Sequence, residues 1–318
     1  MRPTGQLHLG NLHGALLNWV NMQDDYECFF FIADWHALTS DYEDPGFIPK
    51  YVREIMIDWL SAGLTQEKST LFVQSTIKEH AELFLILSMI TPVPWLERNP
   101  TYKDQIVQIN NKDLSTFGFL GYPVLQAADI IMYKANGVPV GVDQVPHVEI
   151  TREIARRFNY LYGNVFPEPD AILTETPKIL GFDRRKMSKS YNNAIYLSDP
   201  PDAVRQKVSQ MITDPQRARK SDPGDPDVCN VYEFHKLYSN PETVAMVEKD
   251  CRTARIGCVE CKKLMAQSLI KGLEPIYDKR AYYSSRPELV EEIIDDGCNK
   301  ARKVAVRTME EVRNAVSM

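Results

Sequence analysis

The sequence lacks the features that would place the chain in a membrane or send it across one. Its longest apolar stretches fall far short of the roughly 20 residues that a membrane-spanning helix needs. It opens with a turn at Pro3-Thr4-Gly5 rather than with a basic segment followed by an apolar one, so no signal peptide is predicted. Internal repeats and low-complexity segments are absent as well. We therefore expect a cytoplasmic protein without a membrane partner, and 318 residues predict about two domains at roughly 150 residues each.

An overall excess of positive charge is also missing. The net charge is −6, and residues 1–195 carry 17 Lys and Arg against 23 Asp and Glu, whereas residues 196–318 carry 20 of each. Residues 249–280 form a local exception with eight basic and four acidic residues. The basic ones are Lys249, Arg252, Arg255, Lys262, Lys263, Lys271, Lys279 and Arg280. This segment is where we would expect RNA phosphates to bind, although charge counting alone favours a solvated helix face.

Cysteine is scarce, and four of the six cysteines are gathered in one segment. They are Cys229, Cys251, Cys258 and Cys261, spaced C-x21-C-x6-C-x2-C. A reducing cytosol disfavours disulfides, so the remaining choices are inert thiols, a Cys₄ zinc site or an iron–sulfur cluster. The paired C-x2-C of a zinc ribbon is missing. Cys28 and Cys298 have the pattern of ordinary buried cysteines.

The tetrad His8-Leu9-Gly10-Asn11 opens a predicted helix. Apolar residues recur after it at helical spacing: Leu9, Leu12, Leu16, Leu17 and Val20. The first N–H groups of a helix have no partner within it and therefore favour a phosphate. His8 and Asn11 add side-chain donors, and Gly10 leaves room for a nucleotide to approach closely. For a lone tetrad, a capped helix with a surface histidine is the favoured alternative.

The run Lys186-Met187-Ser188-Lys189-Ser190 begins 178 residues after His8. With Arg184 and Arg185, four cations lie within six residues, and the serines between them are typical of a mobile, solvated loop. Leaving pyrophosphate gathers negative charge in the transition state, and lysines that reach it only then lower the barrier. The alternative is a solvated basic turn, the usual role of a run of charges.

In this order and separation, the two runs resemble the signatures of the class I aminoacyl-tRNA synthetases, H-x-G-H/N and K-M-S-K-S. Two patterns between them are consistent with a nucleotide-binding sheet. The apolar run Phe29-Phe30-Phe31-Ile32-Ala33 predicts a buried strand, and Asp34-Trp35-His36 follows at its carboxyl end. Ligands of open α/β sheets bind at that edge.

Residues 121–133 form a predicted helix in which Gln126, Asp129 and Tyr133 share one face. An aspartate among so many apolar residues requires a partner. An indole N–H, which donates one hydrogen bond, and an ion pair with an arginine such as Arg152 are equally good candidates on the residues alone.

Residues 138–159 predict a short strand followed by an amphipathic helix. Their V-P-V-G-V-D-Q and H-V-E-I-T-R-E-I-A-R-R-F-N patterns closely resemble those of bacterial members of the tryptophanyl branch of this family. The resemblance covers nearly the whole chain. It implies a ligase that activates tryptophan with Mg-ATP, releases pyrophosphate and transfers tryptophan to tRNA(Trp). The implied partners are L-tryptophan, ATP, Mg²⁺, tRNA(Trp) and a second copy of the chain in a homodimer, with no DNA.

The resemblance also assigns roles to individual residues. The catalytic set is His8, Asn11, Lys186 and Lys189. The ATP-binding set adds Thr4, Gly10, Gly141, Asp143, Met187 and Ser188. The tryptophan-binding set is Asp129, Gln126, His36, Gln144, Val138 and Val140, in which Asp129 accepts the indole N–H and the two valines flank the ring.

The alternation of apolar runs and helical segments up to about residue 182 predicts an α/β fold with a parallel sheet, and the chain beyond Pro201 is predicted to be almost entirely helical. The resemblance implies a Rossmann-like catalytic domain over residues 1–195 and a helical anticodon-binding domain over residues 196–300. We expect a closing helix in residues 301–318 to pack on the catalytic domain. The family's first strand is missing before Met1, so a truncated start is the hypothesis.

Some tryptophanyl enzymes hold a [4Fe-4S] cluster with a C-x22-C-x6-C-x2-C set, which the four cysteines resemble with one residue fewer in the long spacer. The cluster is therefore our first hypothesis and Zn²⁺ the alternative, and a one-residue change in a long loop is easily absorbed.

Three other functions remain open: a tyrosyl-tRNA synthetase, a small-molecule nucleotidyltransferase of the H-x-G-H superfamily, and a nucleic-acid-binding protein with a metal cluster but without catalysis. The V-P-V-G-V-D-Q pattern argues against the first, and the predicted helical RNA-reading domain argues against the second.

Overall fold

Parallel strand pairs form the sheet part of the fold. The computed structural model describes residues 1–100, 102–103, 113–173 and 179–318. Strand β1 (Cys28–Ile32) pairs in parallel with β2 (Ser69–Val73), and β3 (Gly137–Val140) pairs in parallel with β4 (Asp170–Leu173). Helices connect the two strands of each pair, as parallel pairing requires. The predicted α/β class with parallel strands is confirmed.

Helices make up about half of the described residues up to residue 195. The bounds are α1 (Leu9–Asn11), a π-helical turn (Leu12–Leu16), α2 (Leu17–Met22), α3 (Asp34–Asp41), α4 (Ile48–Ala62), α5 (Glu79–Ile90), α6 (Val93–Glu97), α7 (Phe117–Met132) and α8 (Val145–Tyr162). Thr116 caps α7 by accepting the N–H of Phe119. Helix α4 ends at Gly63, whose φ of +120° suits glycine. Helices α3 and α7 therefore fall where the sequence predicts polar groups near the sheet.

The remainder of the chain is helical, as predicted. Its helices are α9 (Pro201–Ser209), α10 (Asn230–Tyr238), α11 (Pro241–Arg252), α12 (Cys258–Ser284) and α13 (Pro287–Ala315). Pro201, Pro241 and Pro287 each occupy a first helical position, where the missing N–H of proline costs nothing. No helix in the described ranges is both long and apolar enough to cross a membrane.

The last two helices pack against the sheet-containing part. Helix α12 lies on α4, where Arg280 forms ion pairs with Asp58 and Glu54. Asp58 is almost fully buried, and its other oxygen accepts the N–H of Leu7 at 3.4 Å. Helix α13 lies on β2 so closely that a Cβ at Gly297 would fall 1.7 Å from a strand carbonyl. The residues just before the His8 tetrad are therefore held by a helix far away in the sequence.

Candidate active site

The tetrad at the start of α1 forms a reciprocal cap. The Nδ1 atom of His8 accepts the backbone N–H of Asn11 at 3.3 Å, and Oδ1 of Asn11 accepts the backbone N–H of His8 at 3.0 Å. This is the capping-box pattern with a histidine in the place of serine. The two side chains are therefore fixed against the backbone before any substrate binds.

The cap also determines the protonation of His8. Burial and the nearby Lys189 lower the pKa of His8 to about 4, so the imidazole is neutral at pH 7. Because Nδ1 accepts a hydrogen bond, the ring proton is assigned to Nε2. A neutral imidazole with an Nε2–H donor can bind a phosphate oxygen without bringing a second charge next to the lysine.

The two signature runs meet in space. A Cβ added at Gly5 would lie 3.1 Å from Cδ and 3.3 Å from Nζ of Lys189, and one added at Gly10 would lie 3.6 Å from Cβ of Met187. The backbone N–H of Leu9 donates to the carbonyl of Ile195 at 3.0 Å, which ties the tetrad to the chain just after the second run. A Cβ at Gly10 would also fall 2.9 Å from Nδ1 of His8. Glycine at this position therefore makes room for the His8 ring as well as for a nucleotide.

Lys189 carries a partly desolvated charge. Burial and, to a lesser extent, repulsion from Arg2 lower its pKa to about 8. Of the other residues that the resemblance assigns to ATP in these two runs, Met187 is buried, Thr4 and Ser188 are half-buried, and Lys186 is exposed. The Lys189 ammonium is partly desolvated beside the tetrad, so its attraction to the negative charge of a polyphosphate is strengthened.

A buried asparagine organises the second run. The side chain of Asn193 is fully buried, accepts the backbone N–H of Ser188 at 2.8 Å, and donates to the carbonyl of Lys186 at 3.1 Å and to Asp183 at 2.7 Å. A Cβ at Gly181 would lie 2.3 Å from this side chain. The sequence predicts a mobile, solvated loop, but the run is anchored at its base. Sequence analysis missed Asn193, since its bonds are to backbone groups and follow no periodicity.

The face shared by Asp129 and Tyr133 is the centre of a buried polar network. Oδ2 of Asp129 lies 2.7 Å from Nε2 of His36, and Oδ1 lies 2.5 Å from Nδ1 of His80. The amide of Gln74 donates to both oxygens, at 2.8 and 2.9 Å, and Nε2 of His80 reaches the hydroxyl of Tyr133 at 2.7 Å. Burial alone would raise the pKa of Asp129, but hydrogen bonds from His36 and His80 outweigh it and hold the pKa at about 2.

The arginine alternative for Asp129 is wrong. Arg152 pairs with Asp170 at 2.6 Å and lies 3.5 Å from Glu168, so it is engaged at the edge of β4. The actual partners are His36 on α3 together with Gln74 and His80. A signal for Gln74 was present, because this residue follows the apolar strand β2 as Asp34 follows β1.

A second buried cluster lies beside the first. His147 contacts Asn99 through Nδ1 at 3.1 Å and the hydroxyl of Tyr122 through Nε2 at 3.3 Å. Burial lowers the pKa of His147 to about 4, so the ring is neutral. Arg2 is near enough to influence the pKa values of both Tyr122 and Lys189. Arg2 therefore lies near both Lys189 and Tyr122, and sequence analysis missed both Arg2 and Tyr122.

The other residues assigned by resemblance lie along β3 and the turn after it. Val138 and Val140 are half-buried in β3, where they pair with Ala171 and Leu173 of β4. Gly141 and Asp143 are exposed, and Gln144 donates to the Asp143 carboxylate at 3.0 Å. A Cβ at residue 141 would fall 2.8 Å from that carboxylate, so glycine is needed for this turn itself. Gln126 is half-buried on α7, one turn before Asp129.

The four gathered cysteines lie together in space. Burial and, to a lesser extent, the nearby thiols of Cys229, Cys251 and Cys258 raise the pKa of Cys261 to about 12. Nη1 of Arg217 lies 3.8 Å from Sγ of Cys251 and 3.9 Å from Sγ of Cys258. Within the described ranges, no three or more His, Cys, Asp or Glu side chains are arranged to hold a metal ion. In the described ranges, the side-chain positions therefore support neither of the two metal hypotheses that the spacing allowed.

Several cations of the basic segment over residues 249–280 are neutralised by partners. Arg252 pairs with Asp227 at 2.8 Å, and Nη2 of Arg252 lies 3.4 Å from Glu248. Arg280 pairs with Asp58 and Glu54 in the contact between α12 and α4. The excess of positive charge available to RNA is therefore smaller than the count of eight residues indicates.

An apolar cavity of about 410 Å³ opens between α3, α5 and α7. Trp35, Phe84 and Leu125 are among the residues that line it. Large apolar side chains on the same helices are exposed to solvent, with exposed fractions of 69% at Met89 and 73% at Phe117. Large exposed apolar patches often mark interaction sites.

Comparison with known proteins agrees with this geometry. The family model for tRNA synthetases class I (W and Y) matches residues 1–274. The chain is 53% identical to the tryptophan--tRNA ligase of Thermotoga maritima over 320 residues and 47% identical to that of Aquifex aeolicus over 388 residues, and each comparison covers 100% of this chain and 98% of the relative.

Solved structures give the same result. The tryptophanyl-tRNA synthetase of Campylobacter jejuni complexed with ADP and tryptophan superposes with a TM-score of 0.93 at 32% identity and covers 100% of this chain and 98% of its own. The Mycoplasma pneumoniae tryptophanyl-tRNA synthetase superposes with a TM-score of 0.80 at 26% identity, with 100% and 96% covered. The chain therefore belongs to the class I tRNA synthetases of the tryptophan and tyrosine type, in their tryptophanyl branch.

Proposed function

We propose that the chain condenses L-tryptophan with Mg-ATP to tryptophanyl-adenylate and then transfers tryptophan to tRNA(Trp). The observation that supports this best is the contact between the two signature runs, which holds the desolvated Lys189 amine against the turn before the His8 tetrad. The buried carboxylate of Asp129 provides a strong hydrogen-bond acceptor in the same part of the fold. Phosphate recognition and aromatic recognition are both required for this reaction.

The first step needs no enzyme nucleophile. A carboxylate oxygen of tryptophan attacks the α-phosphorus in line, the bond to the bridging oxygen of the β-phosphate breaks, and pyrophosphate leaves with the electron pair. The Nε2–H of His8 and the side-chain amide of Asn11 hold the triphosphate, and Lys186, Ser188 and Lys189 stabilise the charge that develops on pyrophosphate. In the second step a ribose hydroxyl of the terminal adenosine attacks the adenylate carbonyl, and AMP leaves.

Asp129 is proposed to accept the indole N–H. A carboxylate offers about four lone-pair sites. His36 and His80 each fill one, and the Gln74 amide, which donates to both oxygens, fills the other two. The Gln74 amide can keep one of its two bonds when the indole takes the other site. A phenol would instead bring an O–H that needs both a donor and an acceptor. His36, Gln74 and His80 do not supply the donor, because they already bond to Asp129.

A [4Fe-4S] cluster is proposed at Cys229, Cys251, Cys258 and Cys261. A tetrahedral zinc site would require four sulfurs at about 2.3 Å from one ion. In a four-iron cluster each thiolate binds a different iron, so the sulfurs lie farther apart. The Nε atom of Arg217 is buried without a partner, and its Nη1 atom faces two of the thiols, as expected beside an anionic cluster. Such a cluster would supply a rigid cross-link and a redox-active centre.

The remaining parts of the chain are proposed to bind tRNA and a second copy of the chain. Residues 196–300 would form the anticodon-binding domain and residues 301–318 the end of the helix that returns to the catalytic domain of residues 1–195. The apolar cavity between α3, α5 and α7, together with the exposed Met89 and Phe117, is the surface we assign to the homodimer.

The test is ATP–pyrophosphate exchange with tryptophan, tyrosine and phenylalanine, followed by charging of tRNA(Trp) and tRNA(Tyr). We expect exchange with tryptophan only and charging of tRNA(Trp) only. Exchange that prefers tyrosine would favour the tyrosyl alternative. Absence of exchange with all three amino acids in folded protein would reject the activity.

A further inference from the structure

Leu180 pairs antiparallel with Lys186, so the chain forms a hairpin just before the run Lys186–Ser190. This hairpin is bound to the helical part of the chain. The Nδ2 atom of Asn230, the first residue of α10, donates to the carbonyl of Gly181 at 2.8 Å. The backbone N–H of Ile212 donates to the carbonyl of Phe182 at 2.9 Å. Asn230 is only 2% exposed, so its hydrogen bond is shielded from water. One side chain of the helical part therefore reaches the base of the ATP loop.

From Gly181 the connection continues to the lysines. Gly181 packs against the Asn193 side chain, and Asn193 in turn binds the N–H of Ser188 and the carbonyl of Lys186. Two buried side chains therefore connect α10 with the backbone of the signature run. The backbone positions on either side of Met187 depend on where Gly181 lies.

We propose that Asn230 is a positioning residue for the Lys186–Ser190 loop and that the helical part of the chain controls the fit of this loop to ATP through it. The proposal rests on the proposed role of Lys189 in binding the leaving pyrophosphate. Asn230 adjoins Cys229, so a change at the cysteine site reaches the hairpin within one peptide unit. Distance along the sequence predicts separation of the cysteines from the ATP loop, but the contact brings the two regions together.

The carbonyl of Gly181 also accepts the N–H of Arg184 at 3.0 Å. Loss of the Asn230 bond therefore leaves that carbonyl satisfied and removes only the link between the hairpin and α10. For this reason we expect Asn230→Ala to fold, and to change the loop rather than the stability of the whole chain.

The experiment compares Asn230→Ala with Asn240→Ala in the full-length chain. Asn240 is exposed and caps α11 by accepting the N–H of Thr243 at 2.8 Å, so its loss costs a similar hydrogen bond away from the hairpin. For Asn230→Ala we expect kcat/KM for ATP in pyrophosphate exchange to fall about tenfold, the effect of roughly one hydrogen bond, while KM for tryptophan stays within about twofold. Asn240→Ala should leave both unchanged.

Asn230→Ala is also made in a Lys189→Ala variant, which distinguishes an effect through the loop from a general loss of activity. If Asn230 acts through the loop, its substitution costs little once Lys189 is gone, so the two effects are non-additive. Additive losses, or an equal loss of tryptophan binding, would overturn the proposal. An unaffected Asn230→Ala beside a strongly impaired Lys189→Ala would reject this inference alone. An unaffected Lys189→Ala would reject the role of the loop itself. Should Asn230→Ala not fold, Asn230→Ser is measured in the same way, because it replaces the amide by a shorter side chain that is still polar.

Discussion

Replacing Lys189 with methionine tests whether the enzyme keeps a destabilising charge for catalysis. The variant keeps most of the aliphatic stem, which packs against Gly5, and removes only the charged amine. Burial lowers the pKa of Lys189 from its ordinary value of 10.5 to about 8. The charged form is therefore disfavoured in the folded chain without ATP.

The pKa difference sets the magnitude. It corresponds to roughly 3 kcal/mol at most, an upper value because the side chain keeps some contact with water. A polyphosphate that supplies the missing counter-charge can recover about this amount. Removal of such a transition-state contact costs about 2.7–4 kcal/mol, or about 10²–10³ in rate. We expect Lys189→Met to slow pyrophosphate exchange by that factor and to leave the affinity for tryptophan nearly intact.

The same reasoning gives an opposite effect on stability. The cost of the charge is present in full below pH about 8, diminishes between pH 8 and 10.5, and is absent above 10.5, where lysine is neutral in both folded and unfolded chains. Lys189→Met should therefore unfold at a higher temperature than the wild type at pH 7, with the gain fading towards pH 10.5. Lys186→Met is the matched control for stability only, because Lys186 is exposed but belongs to the same proposed ATP-binding run.

Calorimetry and exchange kinetics on the same preparations decide the matter. A Lys189→Met variant that exchanges at the wild-type rate with saturating ATP would refute the catalytic role. A variant that is less stable than the wild type at pH 7 would refute the desolvated charge.

Four further predictions follow from the site. The kcat/KM for ATP should fall above pH about 8 as Lys189 loses its proton, and Lys189→Arg should move that limb to higher pH; a limb that stays in place would exclude Lys189 as its origin. Asp129→Asn should weaken tryptophan binding by calorimetry about 10- to 150-fold and leave ATP binding unchanged, the range for a charge-assisted hydrogen bond; unaltered selectivity against phenylalanine would make Asp129 structural. Protein purified without oxygen should contain about four iron and four sulfide, which Cys258→Ser should abolish, whereas one zinc would reverse the assignment. Met89→Asp should convert a dimer to a monomer in light scattering, whereas Tyr160→Asp, which is exposed elsewhere, should not; a monomeric wild type would contradict the assigned surface.

Local pattern was enough to predict strands β1 and β3 and the helices α1, α7 and α8. An uninterrupted apolar run indicates the strand at residues 28–32. From Pro201 onward, prolines indicate where three of the helices begin. The first turn at His8 and the polar group on α7 also follow from spacing alone. These features depend on neighbours in the sequence, which periodicity reports.

The partners of buried polar groups could not be predicted in this way. His36, Gln74 and His80 reach Asp129 from segments 93, 55 and 49 residues away in sequence. Nothing in the spacing of one segment specifies which polar group of another will face it, so Arg152 remained a candidate partner beside the indole N–H. The same limit applies to Asn193 and Asn230, whose bonds to backbone carbonyls leave no trace in the composition.

The ion pair between Arg280 and Asp58 has a consequence for modularity. Asp58 is almost fully buried while α12 packs on α4, and it accepts the N–H of Leu7, so a fragment ending near residue 195 would lose both this cover and the guanidinium that pairs with the carboxylate. Breaking a buried pair from one side costs about 3–5 kcal/mol, a large share of the stability of a domain. We therefore expect the sheet-containing half to be less stable without the helical half. A chimaera with the helical half of a relative would retain an ordered His8 turn only if the donor brought a cation to the position of Arg280.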